Sequence, residues 1–153
     1  MKTLKLSELI GETISSVRCT YNPSNEYHLQ EFHSYLKLGN GLIIDFPIFD
    51  EEEFLVLDDE NINYFLDCFE NAEEISSIAK RKIEGQKIEN IFFCYYEDKL
   101  EDSKRAYLKL SNGYYITEIN YGPPGINVDL LILSESEFQQ RIKFLNENVK
   151  ALF

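Results

Sequence analysis

A ten-residue phrase occurs twice in this chain, and that repetition constrains the fold more than any bulk property. Tyr35-Leu36-Lys37-Leu38-Gly39-Asn40-Gly41-Leu42-Ile43-Ile44 returns as Tyr107-Leu108-Lys109-Leu110-Ser111-Asn112-Gly113-Tyr114-Tyr115-Ile116. Upstream, Gly11, Ile14 and Val17 return as Gly85, Ile88 and Ile91, and Tyr21 as Tyr95. The offset is 74 in the upstream block and 72 in the hairpin block, so a gap of two residues separates them. A long period used only twice predicts two duplicated half-domains, 1–84 and 85–153, in one domain of 153 residues. The repetition also acts as an internal control. Features common to both halves serve the fold, and features confined to one half are candidates for function.

Local patterns give each half the same order of elements. Val17, Cys19 and Tyr21 alternate as in a strand, which Asn22-Pro23-Ser24-Asn25 breaks. Tyr35 to Leu38, then Gly39-Asn40-Gly41, then Leu42 to Ile48 predict a hairpin, because Asn-Gly supplies positive φ angles. Ser111-Asn112-Gly113 makes the same case in the second half. A fourth strand is expected at Glu53 to Leu57 and again at Val128 to Leu133. Ile62, Phe65, Leu66 and Phe69 stand at helical spacing behind Asp58 or Asp59 as cap, with Glu73 to Glu84 continuing that helix or forming a short second one. Phe138, Ile142, Leu145, Val149 and Leu152 form the second stripe, headed by a Ser134-x-x-Glu137 capping box. The predicted class is α+β: ββββα twice, with a short helical turn before each first strand and two antiparallel sheets packed with helices.

That order resembles the Whirly fold, in which two four-stranded antiparallel sheets pack together and helices close the arrangement. The resemblance is one of topology and carries no signature residues. The single-stranded-DNA binding of that family therefore does not transfer, and charge opposes it. A groove that tracks phosphates needs Lys and Arg, whereas this chain has 27 acids against 15 bases.

Several chemistries lack their parts. His28 and His33 are five apart, with no Cys at ligand spacing, so no metal is expected. No Gly-x-Ser-x-Gly elbow, glycine-rich phosphate loop or HExxH occurs, and the expectation is a protein that is not an enzyme and has no cofactor. Cys19, Cys68 and Cys94 form no CxxC pair and read as buried thiols of a reducing, cytoplasmic compartment. No apolar run approaches a membrane span, and no membrane partner is expected. Gly122-Pro123-Pro124-Gly125 is an insertion of the second half and predicts a stiff turn.

Charge is what separates the halves. Residues 1–84 hold 17 acids and 7 bases; residues 85–153 hold 10 and 8. From Leu38 to Ala79 there is no Lys or Arg, where the chain's own frequency predicts about four. Asp50, Glu51, Glu52 and Glu53 form one cluster, and Asp59, Asp67, Glu70 and Glu74 recur at helical spacing opposite the apolar stripe. Like charges at such spacing cost a helix a few tenths of a kcal/mol each, and no Lys offsets them. These eight residues are the candidate partner-binding site, suited to a basic protein cleft built to hold RNA or DNA.

In size, acidity, lack of catalytic parts and richness in Asn, Lys, Ile, Phe and Tyr, the chain resembles the immunity proteins of bacterial polymorphic and contact-dependent toxin systems. That resemblance implies a cytoplasmic inhibitor binding a cognate basic toxin domain, a nuclease, without contacting nucleic acid itself. A Whirly-like nucleic-acid-binding or regulatory module and a non-catalytic adaptor are the alternatives. An exposed edge strand in either half would suit pairing with a second copy.

Overall fold

The structure, a computed structural model, describes residues 2–19, 34–47, 53–57, 69–71, 73–100, 104–120 and 128–153. The strands are β1 (Lys2–Lys5), β2 (Ile14–Cys19), β3 (Ser34–Leu38), β4 (Ile43–Ile44), β5 (Glu53–Leu57), β6 (Glu73–Glu74), β7 (Ile88–Tyr96), β8 (Lys99–Leu100), β9 (Tyr107–Leu110), β10 (Tyr115–Asn120), β11 (Val128–Leu133) and β12 (Asn148–Ala151). A 3₁₀ turn spans Leu6–Leu9, and the helices are α1 (Ser77–Ile83) and α2 (Glu135–Leu145). The fold is α+β, with antiparallel pairing in two main sheets. One has the order β4-β3-β2-β6, and the other β11-β10-β9-β7-β12 with β8 beside β7. A separate ribbon pairs β1 with β5.

The repeated phrases make matching hydrogen bonds. In the first hairpin Leu38 N donates to Leu42 O (2.8 Å) and Gly41 N to Leu38 O (2.9 Å). In the second, Leu110 N donates to Tyr114 O (2.8 Å) and Gly113 N to Leu110 O (2.9 Å). Asn40 and Asn112 each use their side-chain oxygen to accept the amide two residues on. Within the two loops the positive φ falls on the last glycine, +90° at Gly41 and +92° at Gly113. The loop is thus the three-residue form, in which the left-handed residue closes the turn. Register shifts also match, between Ile14 and Ser16 on β2 and between Ile88 and Asn90 on β7.

Reciprocal bonds join the starts of β2 and β7. Gly11 N reaches Ile88 O and Gly85 N reaches Ile14 O, both at 2.8 Å. Ile14 N reaches Gln86 O (2.8 Å) and Ile88 N reaches Glu12 O (2.9 Å). A bridge between Thr13 and Lys87 lies at the centre. Each bond has its counterpart when 74 is added to one partner and subtracted from the other.

The core lies between the sheets. Ile14, Val17, Leu36, Leu38, Ile44 and Phe46 meet Ile88, Ile91, Phe93, Leu108, Leu110 and Ile116 in one buried cluster. Burial of such side chains stabilises by roughly 1.5–3 kcal/mol each. The second sheet has a further cluster with α2, where Phe138 stacks on Tyr115 (3.8 Å between centroids) and meets Tyr107 edge-on. The predicted capping box is present: Glu137 N donates to Ser134 Oγ, and Ser134 N to a Glu137 carboxyl oxygen. In the first sheet Phe69 packs with Tyr35 and Ile43.

Three expectations are corrected. Glu73 and Glu74 do not belong to a helix: as β6 they pair with Cys19 and Arg18, and Ser76 caps α1 only afterwards. The stripe from Phe138 to Leu152 is not one helix, because α2 ends at Leu145 and Asn146 turns left-handed (φ 53°). Val149 and Leu152 pack half-buried against the core instead, from β12 and the residue after it, with Leu152 N donating to Ile91 O. The fourth strands differ as well, since β11 pairs with β10 whereas β5 pairs with β1. Ile62, Phe65 and Leu66 lie outside the described residues.

Candidate functional site

Of the eight acidic candidates, Asp50, Glu51, Glu52, Asp59 and Asp67 lie outside the described residues. Glu53 begins β5, in register with Lys5 of β1. Glu70 is exposed in the helical residues 69–71, directly after buried Phe69. Glu74 stands on β6 opposite Arg18 of β2. The expected ladder is therefore not a single helical face: its last rung belongs to a sheet edge. Backbone pairing, not side-chain repulsion, decides this, because β6 completes the hydrogen bonding of β2.

The cations near this acidic stretch come from outside it. Arg18 lies 4.6 Å over the Phe69 ring and donates Nη1 to Phe69 O (3.2 Å), meeting a helical carbonyl with positive charge. Lys37 also lies over Phe69. Arg105, from the second half, sits 3.8 Å from Asp45.

Another polar group, which the sequence reading missed, lies where the sheets meet. Glu118 on β10 is only 5% exposed. One carboxyl oxygen accepts from Ser34 N at 3.2 Å, and the other has no hydrogen-bond partner. Burial pushes this carboxyl from its ordinary value near 4.5 up to about 7; nearby Arg105 and the Ser34 amide oppose the rise, and Asp45 adds to it. The signal was available: at offset 72 Glu118 aligns with Phe46, a fully buried hydrocarbon.

A second cluster ties the end of α2 to β9. Tyr107 donates to Glu147 at 3.0 Å and accepts from Arg141 Nε at 3.2 Å, while Lys104 pairs with Glu147. Burial first, then Glu147, holds the phenol well above its usual range, so it stays protonated and serves as an anchor.

Cys19 and Cys94 are buried, with the Cys19 sulfur 3.6 Å from the Ser34 hydroxyl. Cys68, His28, His33 and the Gly122–Gly125 turn lie outside the described residues. Among the described residues no three His, Cys, Asp or Glu side chains are grouped to hold a metal ion, and no helix is long and apolar enough to cross a membrane. Comparison of the chain with protein-family models, with curated proteins and with solved structures returned no match.

Proposed function

We propose that this chain is an immunity protein, a non-catalytic cytoplasmic inhibitor that docks a basic toxin domain, a nuclease, on the acidic surface of its first half. The carrying observation is a contrast on matched backbones. The two repeats share hairpin bonds, bulge positions and reciprocal contacts, yet one half carries 17 acids against 7 bases and the other 10 against 8. A fold that works with near balance in one half does not require the excess in the other. Net charge that large steers a cationic partner and raises its association rate.

The same matches support a tandem duplication of a ββββα unit, each followed by a short strand that returns beside the first. β6 and β12 occupy that place, next to β2 and β7. The arrangement is Whirly-like in that each unit's sheet lays one face against the other's. One unit departs from it by lending its fourth strand to β1.

The test is purification with the toxin domain encoded beside its gene. A stoichiometric complex that blocks nuclease activity and protects cells expressing the toxin supports the proposal. Failure of the two to bind, or inhibition that survives charge reversal throughout the first half, overturns it.

A further inference from the structure

We propose that Asp45, Arg105 and Glu118 form a proton-operated clasp where the two sheets meet, closed when the Glu118 carboxyl is protonated and loosened when it ionises. The proposal is independent of which partner the acidic half binds.

Its geometry begins with a broken match. Ser34 opens β3, its counterpart at offset 72, Ala106, immediately precedes β9, and each sends its backbone N–H to the opposing half. Ala106 N donates to a backbone carbonyl, Pro47 O, at 2.8 Å. Ser34 N donates instead to the Glu118 carboxyl at 3.2 Å. One junction is thus closed by a group that cannot titrate and the other by a group that can. Phe46, the counterpart of Glu118, is fully buried, so the site is a core position that has been given an acid.

The surrounding charges make the acid responsive. Arg105 donates Nη1 to Phe46 O (3.1 Å) and lies 3.8 Å from Asp45. With Glu118 neutral, the guanidinium serves Asp45 and the Phe46 carbonyl. With Glu118 ionised, two carboxylates draw on one guanidinium, and a buried carboxyl oxygen is left charged with no donor. Such a charge is costly in a dry site. Moving Arg105 off Phe46 O, or admitting water between the sheets, relieves it. Among the described residues the Cys19 thiol also lies at this point, its sulfur 3.6 Å from the Ser34 hydroxyl. The rise of the carboxyl toward neutrality agrees with this geometry and places the change near pH 7.

Hydrogen exchange at the Ser34 and Ala106 amides, corrected for the intrinsic effect of pH, tests the clasp alongside an NMR titration of the Glu118 carboxyl carbon. The expected midpoint is about 7. Given an open-state value near 4.5, opening at Ser34 should increase about tenfold from pH 6 to pH 8. Glu118→Gln should remove that increase. A carboxyl that titrates near 4.5 in the wild-type protein overturns the proposal even if the variant fails to fold. So does the same rise in exchange in Glu118→Gln as in wild type.

Discussion

The hairpin at Gly39–Gly41 and the hairpin at Ser111–Gly113 are built with the same bonds and the same positive-φ glycine, yet they sit in halves of very different charge. Backbone geometry followed the residues that the repeats share: the Leu pairs facing the core, the asparagine that accepts the amide two residues on, and the glycine that closes the loop. Charge followed none of these. The comparison separates what the fold demands from what the chain adds to it, and it can be broken in several ways.

The largest effect is expected in the core. Leu36→Ala and Leu108→Ala each remove a fully buried side chain from the same cluster and should each destabilise by about 2–5 kcal/mol in urea unfolding. A large cost in one and almost none in the other would show that the halves do not share one core. The next effect is pH dependence confined to one side. Glu118 has a folded value raised above its unfolded one, so its protonation adds stability that is fully present below about pH 4.5 and is lost as pH rises through about 7. Stability should fall by about 2 kcal/mol between pH 5 and pH 8 from this group, and Glu118→Gln should flatten that component.

Smaller effects sharpen the match at the turns. Gly41→Ala and Gly113→Ala force alanine to positive φ, where nothing else crowds the added carbon, and should cost about 1–2 kcal/mol alike. The asparagines should differ. Asn40 accepts one amide, whereas Asn112 also donates to Lys82 O at 2.8 Å. Asn112→Ala should therefore cost about 1–2 kcal/mol and Asn40→Ala about half that. Equal losses would mean that the bond to α1 contributes nothing.

How much could be read in advance depended on how local the cause was. Ser134 and Glu137 announced a helix start because the cap is completed within four residues. Asn-Gly announced both hairpins for the same reason. β6 and β12 were missed because their cause is remote: Glu73–Glu74 and Asn148–Ala151 become strands by completing β2 and β7, far away in sequence. Val149 and Leu152 even kept helical spacing with Phe138, and only the left-handed Asn146 broke the run. The acidic candidates were legible as composition but not as a surface, since the spacing of Asp59, Asp67, Glu70 and Glu74 implied one helical face and Glu74 lies on a strand. Glu118 was legible only by setting one repeat against the other.

The central claim is that the first half's charge, and not net charge alone, recruits the partner. Its most direct test is the stopped-flow association rate with the toxin domain, measured across a range of salt for two fourfold Lys variants. One reverses Asp50, Glu51, Glu52 and Glu53; the other reverses Glu97, Asp98, Glu101 and Asp102. Both shift net charge equally. The account predicts a fast, steeply salt-dependent wild-type rate, at least about tenfold slower in the first variant and changed far less in the second. Equal slowing in the two variants, or no slowing in the first, would contradict it.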